Sequence, residues 1–198
     1  MTSDHTKLQE EEEEPERKVA DYLALKLLKT RTIILSGQID KRLAENVNKQ
    51  LLLLEADSDE DIRIFIDSQG GDPDAAYAIF DMIKFIKPRV KTIAMGLTAS
   101  AAITVLLAAD KKDRYALPNA HILIHQPLGA ARGVASDIAI HAEEIEKLRR
   151  RTAELIADET GQRPEKVMED TDRDYWMNAK EALKYGLISK VAKNRSDL

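Results

Sequence analysis

The chain contains no cysteine among its 198 residues. This absence excludes disulfide bonds, thiol catalysis and any zinc site with cysteine ligands. A chain without cysteine also fits a reducing compartment, so the cytoplasm is the expected location. A long hydrophobic run is missing as well. The most apolar stretch, residues 95–109, is shorter than the roughly 18 residues that a membrane-spanning helix needs. It is interrupted by Thr98, Ser100 and Thr104, and we therefore expect a buried core helix and no membrane partner.

An excess of positive charge is also absent. The chain has 30 lysine and arginine residues against 35 aspartate and glutamate residues, and its net charge is -5. Without a basic face, nucleic acid and anionic lipid are not expected partners. Residues 1–16 are acidic and lack the features of a secretory signal, so they are predicted to form a disordered tail. Residues 17–198 are predicted to form one domain.

Short β-branched segments alternate with segments of helical period along this domain. The predicted strands are TIILSG, IRIFID, VKTIAMG, YAL, HILIH and LISKVA. The predicted helices begin at Asp40, near Ala75, at Ser100, at Ser136 and at Asn178. This alternation predicts an α/β fold with mostly parallel strands, stacked in repeated β-β-α units.

Ser100 stands where a strand passes into the apolar helix, and the segments IHQP and TDRDYW supply His125 and Asp174. A serine hydroxyl becomes a useful nucleophile when a histidine accepts its proton and a carboxylate orients that histidine. The chain has no glycine-rich phosphate loop of either usual type, so its Gly70-Gly71 pair needs another role. The N–H groups of Gly71 and Ala101 are candidate donors to an oxyanion.

Each of these residues also has a plainer interpretation. Ser100 could be only a helix cap, and the glycine pair could be only a turn. His125 could be structural and Asp174 a surface carboxylate. A zinc pair formed by His121 and His125 is disfavoured, because four residues of a strand span roughly 13 Å. The sequence therefore predicts no metal site.

Longer segments carry a resemblance to a known family. The segments SQGGD, GLTAS, LPNAHILIHQPLG, ASDIAIHAEEI and DTDRDYWMNAKEALKYGLI resemble the proteolytic subunits of ATP-dependent Clp proteases, the ClpP family, and the match runs from about Tyr22 to Val191. The resemblance implies a ClpP/crotonase-like fold and a serine endopeptidase that hydrolyses unfolded polypeptides to short peptides. It implies Ser100 as nucleophile, His125 as general base and Asp174 as its orienting group.

The resemblance also implies an oxyanion hole at Gly71 and Ala101 and substrate contacts at Asp72, Pro73 and Leu128. It implies two stacked heptameric rings, made of this chain or of it and paralogous subunits, and a ring-shaped AAA+ unfoldase as partner. A strand-helix handle, with its loop and strand around residues 126–134 and its helix from Ser136, would join the rings. Asp172 and Arg173 match positions that link the active site to ring contact. No cofactor is implied, because the core family binds no ATP itself.

The chain departs from the family pattern at Gln69, where proline is usual, at residues 72–74, which are usually apolar or threonine, and at Ala101-Ala102, where Met-Gly is usual. Pro73 is expected to remove one backbone donor from the edge that binds substrate, so Pro73→Val is expected to raise turnover. The alternative function is a weak or silent structural paralogue in a mixed ring. A crotonase-type acyl-CoA enzyme is a third class, but the chain is short for it and His125 has no role in it.

Overall fold

The computed structural model describes residues 22, 23 and 25–198. The predicted tail at residues 1–16 lies outside them. The strands are β1 (Thr32–Ile39), β2 (Ile62–Gly71), β3 (Val90–Ala99), β4 (Arg114–Ala116), β5 (His121–Ile124), β6 (Tyr175–Asn178) and β7 (Lys190–Val191). The helices that follow β1 are α1 (Lys41–Asp57), α2 (Pro73–Phe85), α3 (Ala101–Leu107), α4 (Ala135–Thr160), α5 (Pro164–Asp170) and α6 (Ala179–Tyr185).

The strands form one sheet with a branch at β3. Strands β1, β2, β3, β4 and β7 are neighbours in that order, and each pair is parallel. The first half of β3 pairs with β4, whereas residues 97–99 pair with β5, which also pairs with β6 in the antiparallel sense. The predicted α/β class with mostly parallel strands is confirmed, and the branch brings β5 and β6 to the end of β3.

Two predicted helix starts are confirmed by their caps. The carboxylate of Asp40 accepts the backbone N–H of Leu43 at 2.7 Å. The side chain of Asn178 accepts the N–H groups of Lys180 and Glu181, and the carboxylate of Glu181 accepts the N–H of Asn178 in return. This reciprocal capping box satisfies orphan donors at the start of α6.

We expect Asn178→Ala to lower the free energy of unfolding by about 1 kcal/mol, because the substitution removes the cap of α6. Urea denaturation followed by circular dichroism measures this difference. Lys180→Ala, on the exposed side of the same first turn, is the control and is expected to leave stability nearly unchanged. Equal stability of Asn178→Ala and the parent chain would contradict the capping role.

Several predicted boundaries are wrong. Helix α2 begins at Pro73 rather than Ala75, because the carboxylate of Asp72 accepts the N–H groups of Asp74 and Ala75 and proline suits the first helical position. Strand β1 continues beyond Gly37 to Ile39 through a shift in register. The last predicted strand is reduced to Lys190–Val191, and α4 begins one residue early.

Helix α3 lies in the core. All seven of its residues are buried, as are the inner side chains of β1 and β2 and the side chains of Val47, Leu51 and Leu54 of α1. Burial of this short helix removes its apolar side chains from water and fixes its first turn against the sheet. The residue before it, Ser100, is consequently held at the boundary between core and surface.

The predicted handle has a helix but no strand. Residues 125–134, all of which the structure describes, contain no strand, and the N-terminal half of α4 is exposed, including Val134, Ile138 and Ile140 around its start. The segment includes Pro127 and Gly129. Among the described residues no strand lies beside it, so its backbone N–H and C=O groups have no neighbouring strand with which to form sheet hydrogen bonds. The C-terminal half of α4 packs on the core through Ala153, Ile156 and Ala157.

Within the described residues, no helix is both long and apolar enough to cross a bilayer. The same residues contain no group of three or more metal-ligating side chains arranged to hold an ion.

Candidate active site

Ser100 occupies a strained turn between β3 and α3. Its backbone has φ 56° and ψ -125°, a left-handed conformation that is uncommon for residues other than glycine. Its N–H donates to the carbonyl oxygen of Leu123 at 3.0 Å, and its own carbonyl oxygen accepts the N–H of Ile103 at 2.9 Å. A strained residue of this kind costs on the order of 1–3 kcal/mol, and a sharp strand-to-helix turn is how many hydrolases present a serine nucleophile.

The hydroxyl of Ser100 does not cap α3. Ser100 stands at the N-cap position, but its side chain accepts no hydrogen bond from the first turn of that helix. The side chains of Asp40, Asp72 and Asn178 do accept such bonds at the starts of their helices. The interpretation of Ser100 as only a helix cap is therefore not supported, and its Oγ is available for another role.

Two strand pairings bring the three predicted catalytic side chains to one place. Ala99 of β3 is opposite Leu123 of β5, so His125 follows the end of β5 beside the Ser100 turn. Ile124 is opposite Tyr175 of β6, so the next pair outward is His125 and Asp174. The Nδ1 atom of His125 lies 3.1 Å from Oδ1 of Asp174, and Ser100 and His125 line the same small cavity.

The environment of this pair suits an orienting role for the carboxylate. The side chain of His125 is 14% exposed, whereas that of Asp174 is 59% exposed and keeps contact with solvent. A carboxylate that accepts the Nδ1 hydrogen leaves Nε2 unprotonated and able to accept a proton from a hydroxyl. The arrangement can therefore supply a base whose ring is held by a hydrated carboxylate.

Hydrogen bonds of Gln126 link the segment that contains His125 to the segment that contains Asp174. Its backbone N–H donates to the carbonyl oxygen of Thr171 at 2.7 Å, and its side-chain amide donates to the carbonyl oxygen of Asp172 at 2.6 Å. Arg149 of α4 adds an ion pair with the carboxylate of Asp172 at 3.2 Å. Helix α4 therefore contacts, through Asp172, the segment that positions Asp174. Arg173, which lies between these two aspartates in the sequence, is exposed.

The glycine pair at the end of β2 lies against the Ser100 turn. A Cβ atom on Gly70 would lie 2.7 Å from both the carbonyl oxygen of Ala99 and the Cβ of Ser100, and 2.9 Å from the N atom of Ala101. Only glycine permits this approach of the end of β2 to the serine turn. Ala101 is the first residue of α3, where backbone N–H groups have no partner within the helix. Ala101 therefore adjoins Ser100, whereas Gly71 follows Gly70 and lies against Ile39, and the role of both N–H groups as oxyanion donors stays a prediction.

The predicted substrate contacts have different surroundings. The carboxylate of Asp72 accepts the hydrogen bonds that cap α2, and β2 ends at Gly71, so Pro73 stands at the first helical position rather than within a strand. At this position proline lacks an N–H that has no partner within the helix, so the expected rise in turnover of Pro73→Val stays a prediction. The ring of Pro73 lines the cavity beside Ser100. Leu128 is exposed and lies in a second depression on the other side of His125.

Comparison with known proteins identifies the family of the chain. The sequence model of the Clp protease family matches residues 14–195. The ATP-dependent Clp protease proteolytic subunit 2 of Treponema denticola is 56% identical over 194 residues, covering 96% of this chain and 97% of the relative. Subunit 3 of Rhizobium etli is 47% identical over 172 residues, covering 87% and 89%. The chain belongs to the Clp protease family.

A solved structure also matches the fold of this Clp protease family member. A mutant of ClpP1 from Listeria monocytogenes superposes with a TM-score of 0.82 at 49% identity, covering 88% of this chain and 98% of the solved one. The predicted resemblance and fold class are therefore confirmed. Membership of the Clp protease family supports a peptidase activity for the chain.

Sequence reasoning missed several residues of the cavity beside Ser100. Gly70, which does not line the cavity itself, supports the serine turn, and a glycine doublet at the end of a strand is the signal for such a close approach of two backbones. Tyr77 lines the cavity, and its position one helical turn after Pro73 was the available signal. The cavity has a volume of about 30 Å³, and its remaining lining is Pro73, Ala101, Ile103, Thr104, Ile124, Pro127, Thr152 and Ile156.

Asp174→Asn is expected to lower kcat for a peptide substrate by roughly 10²- to 10⁴-fold, because an amide no longer holds the imidazole in the required tautomer. Steady-state kinetics with a fluorogenic peptide measures the loss. The matched control is Asp81→Asn, which changes an exposed carboxylate on α2 in the same way. Activity near that of the parent chain would show that Asp174 does not orient His125.

Proposed function

We propose that this chain is a serine endopeptidase, the proteolytic subunit of an ATP-dependent Clp protease, which hydrolyses unfolded polypeptides to short peptides. The observation that carries the proposal is the pair of strand contacts, β3 with β5 and β5 with β6, that gathers Ser100, His125 and Asp174. The strained backbone of Ser100 and the absence of a capping bond to its hydroxyl support a nucleophile at this position.

In the proposed reaction, the Nε2 atom of His125 takes the hydroxyl proton of Ser100 while Oγ attacks the carbonyl carbon of the scissile peptide bond. Asp174 accepts the Nδ1 hydrogen bond and stabilises the imidazolium. The N–H groups of Gly71 and Ala101 donate to the oxyanion of the tetrahedral intermediate. The imidazolium then gives its proton to the leaving amine as the C–N bond breaks, and an acyl-enzyme remains.

Hydrolysis of the acyl-enzyme completes the cycle. His125 takes a proton from water, the resulting hydroxide attacks the acyl carbon, and the proton returns to Oγ of Ser100 as the carboxylate product leaves. The side chains of the chain itself are sufficient for this sequence, so the proposal includes no cofactor.

The proposal also includes assembly. Leu128, Val134, Ile138 and Ile140 are exposed apolar residues in and after the loop that leads into α4, and burial against further subunits would remove them from water. In the proposed barrel of two heptameric rings, copies of this chain, or this chain and paralogous subunits, meet through this region. A cytoplasmic AAA+ unfoldase is the proposed supplier of unfolded chains, since relatives carry the name ATP-dependent Clp protease proteolytic subunit.

The test uses two protein substrates with the full chain. A permanently unfolded protein is expected to be cut to short peptides, whereas a stable folded protein bearing a recognition tag is expected to be degraded only when a Clp ATPase and ATP are added. Light scattering is expected to report a particle many times the mass of one chain. An assembled ring that cuts neither substrate, alone or mixed with a paralogous subunit, would contradict the proposal and favour a silent structural subunit.

A further inference from the structure

The carboxylate of Asp174 is not held by packing of its own. Its side chain is 59% exposed, and within the described part of the chain its carboxylate has one hydrogen-bond partner, Nδ1 of His125. An exposed side chain with a single partner takes its position from the backbone that carries it. The contacts that fix residues 171–174 therefore determine how well the carboxylate meets the imidazole. The importance of this contact rests on the proposed function, in which Asp174 orients the general base.

Tyr185, the last residue of α6, contacts the residue that immediately precedes this segment. Its hydroxyl donates to Oδ2 of Asp170, the last residue of α5, at 2.8 Å. Lys166, one helical turn earlier in α5, donates to the same oxygen at 2.5 Å. The side chains of Tyr185 and Asp170 are both largely buried, so water competes little for these hydrogen bonds. The end of α5 is thereby joined to the end of α6.

Tyr185 also contacts the residue that immediately follows the segment. The ring centroids of Tyr175 and Tyr185 are 5.8 Å apart, and the two planes are inclined at 49°. Aromatic rings at this separation attract each other when they are tilted. The ammonium group of Lys166 lies 5.4 Å from the centroid of the Tyr185 ring and 6.0 Å from that of Tyr175, and it strengthens the group. One side chain thus holds both ends of residues 171–174, by its hydroxyl at one end and by its ring at the other.

The other contacts of the segment reach only its N-terminal half. Those of Gln126 and Arg149 fall on residues 171 and 172. On the C-terminal side, next to Asp174, the backbone is held by the pairing of β6 with β5 and by the contact between Tyr175 and Tyr185. Tyr185 therefore acts where the other two residues do not.

The hydroxyl of Tyr185 remains a donor under assay conditions. Burial and the hydrogen bond to Asp170 raise the pKa of Tyr185 above its usual range, so the phenol keeps its proton near neutral pH. Tyr185 lines neither of the two depressions beside His125, so it does not contact a substrate there. Any effect of this residue on the reaction must pass through the segment that it holds.

We propose that Tyr185 is a positioning residue for the candidate active site, holding both ends of residues 171–174 so that the carboxylate of Asp174 meets the Nδ1 hydrogen of His125. Loss of one of its contacts lets the carboxylate move away from the imidazole. The base is then correctly oriented for a smaller fraction of the time, so kcat falls, whereas the binding of substrate is not changed.

The experiment uses Tyr185→Phe, which removes the hydroxyl and keeps the ring, in the assembled full chain. With a fluorogenic peptide, kcat is expected to fall roughly tenfold at unchanged KM. In the Asp174→Asn background the same substitution is expected to lower kcat less than about twofold, because the group through which Tyr185 acts is already lost. Tyr115→Phe is the matched control, because Tyr115 is buried to a similar extent in a different hydrophobic cluster. It is expected to keep the kcat of the parent chain.

Two variants of Asp170 test the same hydrogen bond from its other side. Asp170→Asn keeps a side-chain oxygen that can accept from Tyr185, and it is expected to keep kcat within about threefold of the parent. Asp170→Leu has a similar size without an acceptor, and it is expected to lower kcat at least as much as Tyr185→Phe. Equal kcat values in the two variants would contradict the role of this hydrogen bond. Should Tyr185→Phe not assemble, as judged by light scattering, these two variants decide the question in its place.

The outcomes separate this inference from the proposed function. A loss of the same fold with and without the carboxylate of Asp174 would show a general structural role and would overturn the inference, as would a Tyr185→Phe chain with the kcat of the parent. A fluorophosphonate probe run in parallel reports whether Ser100 of the parent chain is nucleophilic. Absence of both labelling and hydrolysis in the parent would overturn the proposed function and this inference together.

Discussion

Replacing Ser100 with alanine is expected to lower peptide hydrolysis on the order of 10⁴- to 10⁶-fold, because the substitution removes the atom that forms the acyl-enzyme. His125 and Asp174 would remain in contact, since the strands that place them do not depend on the serine hydroxyl. Single-turnover and steady-state assays with the same fluorogenic peptide measure the loss. Residual hydrolysis within a factor of ten of the parent chain would mean that another group is the nucleophile.

The same substitution is expected to leave stability almost unchanged. The side chain of Ser100 makes no capping bond to α3, so alanine, which also has a Cβ, forfeits little. Thermal unfolding of Ser100→Ala is therefore expected to match that of the parent chain, in contrast to Asn178→Ala, where a real cap is lost. A loss of stability of about 1 kcal/mol in Ser100→Ala would instead restore the interpretation of this serine as a helix cap.

Gly70→Ala is expected to abolish activity and to destabilise the chain by more than about 2 kcal/mol. The new methyl group would lie 2.7 Å from the carbonyl oxygen of Ala99 and from the Cβ of Ser100, and both belong to the turn that presents the nucleophile. The positive φ of 91° adds a conformational cost of roughly 1–2 kcal/mol for any residue with a Cβ. A displacement of the turn by about 1 Å is enough to lower turnover on the order of 100-fold.

Gly37→Ala is the matched control for this variant. Gly37 also has a positive φ, 87°, but a Cβ atom there would meet nothing within 4 Å. The control is expected to lose stability through the backbone alone and to retain peptidase activity, as measured by urea denaturation and by the fluorogenic assay. Equal activity in the two variants would show that β2 does not support the serine turn.

Much of the site could be predicted from the sequence, because its chemistry depends on residue types in order along the chain. A serine at the start of an apolar segment and a histidine at the end of a β-branched strand indicated two of these roles, whereas the strand Tyr175–Asn178 that follows Asp174 was not predicted. The helix starts at Asp40 and Asn178 could also be predicted from the sequence, because a side-chain cap acts within a few residues. Signals of this kind depend on a few neighbouring residues and can therefore be recognised in short stretches of sequence.

The remaining features depend on contacts between distant segments. The branch of the sheet at β3 joins residues 97–99 to β5, and nothing in the period of either strand specifies that pairing. The cap that Asp72 provides and the first helical position of Pro73 are local signals that were present in the sequence, whereas their contact with substrate stays a prediction. Tyr77 and Thr152 line one cavity although they belong to different helices, and this proximity becomes visible only in three dimensions.

The central claim, that Ser100 is an activated nucleophile, is tested most directly by labelling the assembled full chain with a fluorophosphonate probe and mapping the adduct by mass spectrometry. The account predicts one adduct, on Ser100, that is lost in Ser100→Ala and strongly reduced in Asp174→Asn. An assembled particle that takes no label at Ser100, either alone or with paralogous subunits, would contradict it.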